Sequence, residues 1–158
     1  MALEATYAPV IATVTAQPIA AVAARVRADQ MGQVVFGALE RVHAALRAGG
    51  AYSPYWGDVV LCEGEDDDGV MELRIGVGVA RPFPGLGAIA PWNTPGGEAV
   101  QVTHRGAWSE RLSAHQAARD AAARLGRRLT GVHWEVHGAF DLAARTRPTD
   151  IFYEAVHG

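Results

Sequence analysis

The chain has 158 residues, of which 49% are apolar and 20% charged, with a formal net charge of −3 and one cysteine, Cys62. That length suits one domain or two small fused lobes with a proper core. The charge, with no basic cluster, gives no electrostatic case for direct nucleic-acid binding, and a lone cysteine excludes an internal disulfide or a multi-Cys zinc site and suits a reducing compartment.

The N-terminal segment MALEATYAPVIATVTAQ has no positive region followed by a continuous apolar core, so it does not read as a secretory signal. No apolar run is long enough to span a bilayer, and a cytoplasmic protein is expected. Residues 1–17 carry no clear element. Ile19–Val26 reads as a weak, alanine-rich strand. Asp29 is placed to cap a helix in which Met31, Val35, Leu39, Val42 and Leu46 recur at helical spacing, and Gly49-Gly50 supplies the stop.

Ala51–Trp56 is turn-like, and Val59–Cys62 is a short apolar strand in which Cys62 reads as a buried structural thiol. The acidic run Glu63–Gly69 is expected as a hairpin turn, since a calcium loop needs a longer, spaced set of oxygen ligands. The returning strand sets Met71, Leu73, Ile75, Val77 and Val79 on one face. Gly76 and Gly78 fall on the other, leaving room for a ligand or another strand. Residues 81–97, rich in Pro and Gly, read as a crossover linker.

After the linker the order of elements repeats. Glu98–Thr103 is a strand, Ser109 caps an alanine-rich helix to about Leu125, and Val132–His137 and Thr149–Val156 are strands. Residues 18–80 and 98–157 are thus each β-α-β-β, and the fold class expected is α+β: two such units with antiparallel sheets, their opposite faces meeting around a central cleft. In VHWEVH the side chains alternate, so His133, Glu135 and His137 share one face and Trp134 the other, where it is expected to pack on a helix. A half-buried carboxylate such as Glu135 costs several kcal/mol unless it is paired or wet. It therefore marks either an exposed sheet face or the floor of a cleft.

TPGGEAVQVTHRGAW, then a helix, WEVH and PTDIFYEAV, resembles the GyrI-like small-molecule-binding domain, the effector-binding domain of AraC- and MerR-type regulators. His104, Arg105, Gly106, Trp134, Glu135 and Thr149 match its pattern directly, and the first half agrees only in the order of elements. The resemblance implies a pseudo-twofold pair of β-α-β-β units around an aromatic cleft. It also implies that Glu135 faces lipophilic cations, to which aromatic faces add about 0.5–2 kcal/mol each. Two positions depart from the pattern: Trp108 and His137 both stand where the family has Tyr. A protonated His137 would compete for Glu135.

The ligand-binding residues expected are Glu135, His137, Trp108, His104, Tyr55, Trp56, Tyr153 and His133. His133, Glu135 and His137 could also converge on a metal ion. The resembled family uses none, and no metal or other cofactor is expected. His43 and His115 read as surface or boundary residues. The leading function is binding of hydrophobic, cationic or planar small molecules, for sequestration or sensing. The enzymatic alternative implied by the resemblance is a hydrolase opening strained cyclopropane-type DNA-alkylating natural products, with Glu135 and His137 catalytic. A second alternative is a gyrase-inhibitor-like protein interaction. Oligomeric state is open.

Overall fold

The computed structural model describes residues 7–49, 55–138 and 147–158, and of Tyr55 the backbone alone. Along the chain run β1 (Val10–Val14), β2 (Pro18–Arg27), α1 (Met31–Ala48), β3 (Tyr55–Glu65), β4 (Val70–Val79), β5 (Ala90–Asn93), β6 (Gly97–His104), α2 (Arg111–Arg124), β7 (Arg127–His137) and β8 (Thr149–His157). The strands form one antiparallel sheet in the order β1-β6-β8-β7-β3-β4-β2-β5. The expected α+β class holds, but there is one sheet where two were expected to meet face to face. Asp58–Cys62 of β3 pairs with His133–His137 of β7, so the halves join edge to edge and each satisfies the other's ladder of N–H and C=O groups.

Two strands arise where none was expected. β1 forms by pairing with β6, and β5, inside the expected linker, by pairing with β2. β1 lies six positions from β2 in the sheet, and β5 six from β6, yet three residues bridge each pair. Four chain links reach at most about 14 Å. Six strand spacings in a flat sheet cover about 29 Å, so the sheet must curl until its two ends approach. The connections meet there: Gln17 N donates to Thr94 Oγ1 and Thr94 N to Gln17 O, each at 2.9 Å.

Curling closes the face that carries no helix. Ile19, Ala21, Val59, Leu61, Ala99 and Trp134 are buried there, and Trp134 stacks on Phe152 at 5.0 Å. Trp134 therefore packs inside the curl and not on a helix as expected. The gaps at Gly76 and Gly78 are taken up by the chain itself, because an added Cβ would strike the β2 backbone at Ala20 or the Trp56 indole.

Both helices lie on the other face. Val60, Glu135 and Ile151 are direct cross-strand partners and so point the same way; Val60 belongs to the core under α1 and Ile151 to the core under α2. α1 buries Val35, Ala38, Val42 and Leu46, close to the expected stripe. Neither expected cap forms. A 3-10 turn precedes each helix, containing Asp29 in one case and Ser109 in the other, and no side chain caps either helix. Gly49 ends α1, while Gly50 and positions 51–54 of the expected turn lie outside the described residues; its last two residues, Tyr55 and Trp56, open β3 instead, paired to β4. The acidic run makes a hairpin turn as expected but a shorter one, since Glu63–Glu65 continue β3; in the turn Asp66 accepts from the N–H groups of Asp68 and Val70. Cys62 is buried, and burial pushes its thiol pKa up.

Candidate functional site

On the helix-bearing face, four polar residues form one cross-strand row: Asp58 of β3, His137 of β7, Thr149 of β8 and His104 of β6. All four are buried. They floor a cavity of about 430 Å³ whose walls include Val35, Phe36 and Leu39 of α1, with Gly106 and Trp108 of the β6–α2 connection opposite and Arg147 alongside. Phe36 and Trp108 are 67% and 47% exposed, which puts large apolar surface at the mouth of a polar-floored cleft.

Each floor residue is held by named partners. Asp58 takes His43 Nε2 of α1 on Oδ1 at 2.6 Å and Arg147 Nη2 on Oδ2 at 2.7 Å. His104 lies between the Tyr7 hydroxyl and the Ala107 carbonyl, both at 2.8 Å, fixing the connection that carries Trp108. His137 meets Thr149 Oγ1 at 3.3 Å through Nδ1, and its ring lies 5.0 Å from Trp108.

Glu135 sits in the next row, 4% exposed, and does not line the cavity. Its Oε2 accepts from His115 Nε2 at 2.6 Å and from Arg111 Nε at 3.3 Å, both on α2. Its Oε1 lies 3.2 Å from His137 Nε2 without hydrogen-bond alignment, so both atoms are buried with no hydrogen-bond partner. Burial pushes the Glu135 pKa up; His115, His137 and the Arg111 charge together outweigh it and hold the carboxyl below the usual range. The network continues outward, since His115 Nδ1 meets the Tyr153 hydroxyl at 2.7 Å and Arg119 donates to the same oxygen at 2.8 Å.

The expected site residues are thus divided. His137, Trp108 and His104 line the cavity. Tyr153 and His133 lie away from the cavity, stacked at 4.8 Å, and burial followed by the His115 charge lowers His133 to about 4. Trp56 is on the opposite face, its indole N–H donating to Val79 O. The Tyr55 side chain lies outside the described residues. Among the described residues, no group of three or more His, Cys, Asp and Glu side chains is placed to hold a metal ion. No described helix is long and apolar enough to cross a membrane.

His43 is a boundary residue, within the expectation, whereas His115 is buried, contrary to it; each is the helix-borne partner of a strand carboxylate. A signal for His115 was present. The buried positions of α2 are 114, 115, 118, 121 and 122, a helical stripe in which alanines leave room for one long polar side chain. Asp58 could be found likewise, two residues before Val60 and four before Cys62 on the inward face.

The architecture defines an α+β domain with two helices on one face of a curled antiparallel sheet and a cleft between them. No protein-family model matches the sequence, and no curated protein matches it. Solved structures share the fold. SAV2435 bound to tetraphenylphosphonium matches with a TM-score of 0.67 and 11% identity over 94% of both chains. The C-terminal domain of EcmrR matches at 0.73 and 14%, over 96% of this chain and 99% of that one. A hydrolase from Listeria innocua matches at 0.56 and 14%, over 94% and 91%. At such identities the likeness is one of fold alone.

Proposed function

We propose that this chain is a GyrI-like small-molecule-binding domain that takes a hydrophobic, planar compound between α1 and Trp108, for sequestration or sensing in the cytoplasm. The observation that carries the reading is the cleft itself: apolar walls, a buried polar row as its floor, and aromatic rings at its mouth. The SAV2435 structure supports it as a case of this fold bound to a small molecule, the cation tetraphenylphosphonium. In this reading residues 18–80 and 98–157 are two pseudo-twofold related units. The repeated pairing of a helix histidine with a strand carboxylate, His43 with Asp58 and His115 with Glu135, favours that relation.

The test is fluorescence titration with the neutral probe N-phenyl-1-naphthylamine. Saturable one-to-one binding is expected, weakened about tenfold in Trp108→Ala, or about 1.4 kcal/mol. It should be unchanged in Trp134→Phe, whose ring lies inside the curl. No saturable binding, or equal loss in both variants, contradicts the reading.

A second reading, hydrolysis of strained cyclopropane-type alkylating compounds, is favoured by one feature. Glu135 Oε1 and His137 Nε2 both lack a hydrogen-bond partner, and His137 reaches the cavity. His137 would hold a water against the substrate and take its proton, with Glu135 behind it positioning the imidazole. Product in excess of protein, abolished in Glu135→Gln, is the expected sign; stoichiometric protection alone leaves binding as the function.

A further inference from the structure

Arg111 is positioned where an external cation would bind. Its guanidinium carbon lies 3.7 Å from the centroid of the Trp108 ring, and its Nε lies 3.3 Å from Glu135 Oε2. An aromatic face and a carboxylate are the two features that attract a lipophilic cation to a cleft, and here one side chain of the same chain occupies both. The Arg111 side chain is only 12% exposed, so the pair is largely desolvated and an incoming cation would have to displace it. Asp58, the carboxylate on the cavity floor, is committed in the same manner as Glu135 behind it, with Arg147 at 2.7 Å and His43 at 2.6 Å.

We infer that Arg111 is a built-in cation that closes this cleft to lipophilic cations and restricts it to neutral aromatic ligands. The inference rests on the small-molecule reading above and sets the ligand's charge class. A neutral ring meets the apolar walls and the exposed part of Trp108 without disturbing an ion pair. Asp58, the one carboxylate among the described residues lining the cavity, is already paired, and an incoming cation meets the Arg111 and Arg147 charges; such repulsion is an effective way to reject a ligand of similar shape. Removing the internal cation should therefore create a cation site that the native chain lacks.

The experiment compares tetraphenylphosphonium with neutral triphenylphosphine oxide by calorimetric titration, on the native chain, Arg111→Met and Arg111→Lys. The native chain should bind the neutral probe at least tenfold more tightly. Arg111→Met should gain at least tenfold for tetraphenylphosphonium while the neutral probe changes less than threefold, and adding Glu135→Gln should abolish that gain. Arg111→Lys keeps the charge and should keep the native preference, which provides a test even if Arg111→Met does not fold. Tighter binding of tetraphenylphosphonium to the native chain, or the same weak cation binding in a folded Arg111→Met that still binds the neutral probe, overturns the inference alone. Failure of both probes on every variant overturns the small-molecule reading and this inference with it.

Discussion

Asp58 and Glu135 lie on adjacent central strands, and each is served by one helix histidine and one arginine, yet they sit differently. Asp58 borders the cavity, and its arginine, Arg147, is 40% exposed. Glu135 lies one row deeper, its arginine is 12% exposed, and its histidine is tied on to Tyr153. The same set of side chains therefore makes an adjustable floor pair, with its arginine at the rim, in one place and a fixed anchor in the other. What decides is how far water reaches the arginine, because a solvated guanidinium loses little when its partner goes and a desolvated one loses much.

That difference gives the largest expected effect. Glu135→Ala leaves Arg111 and His115 without their buried partner and should cost about 3–5 kcal/mol in chemical denaturation. Asp58→Ala, whose arginine can rehydrate, should cost about 1–2 kcal/mol. Equal losses would erase the distinction between floor pair and anchor.

The deeper region should also carry the pH dependence. His133 is held at about 4 against its ordinary 6.5, because burial disfavours its charged form. A depressed value means that its contribution is fully present above 6.5 and is lost as the pH falls toward 4, a decline of about 3 kcal/mol. His133→Phe, keeping the stack on Tyr153, should flatten that window. Glu135, also depressed, contributes fully above the ordinary carboxylate value of about 4.3 and loses its contribution as the pH falls below it, so the two windows separate. The smallest expected contrast is between the histidines. His115→Ala, which strips a partner from both Glu135 and Tyr153, should cost about 1–3 kcal/mol, and His43→Ala, whose side chain is 18% exposed, about 1 kcal/mol or less.

The parts of this arrangement legible in the sequence are those set by local period. The alternation through Met71–Val79 and VHWEVH, and the stripe of α1, follow from which side chains must leave water, and they place Glu135, His133 and His137 on one inward face. β1 and β5 were not legible because each is a short edge strand that exists through pairing with a segment distant in sequence. The same holds for the β3–β7 seam, which turned two expected sheets into one. Glu135 was legible as an acid in need of a partner. Its partners were missed because Arg111 and His115 sit among alanines on α2, where a polar residue reads as surface until the carboxylate beneath it is known.

The most direct test is a crystal structure with N-phenyl-1-naphthylamine bound. The account predicts the ligand between Phe36 and Trp108, above His137 and Thr149, with the Arg111 guanidinium still on Glu135. Density against Trp134 and Phe152 on the opposite face, or a ligand in the cleft with Arg111 driven off Glu135, would contradict it.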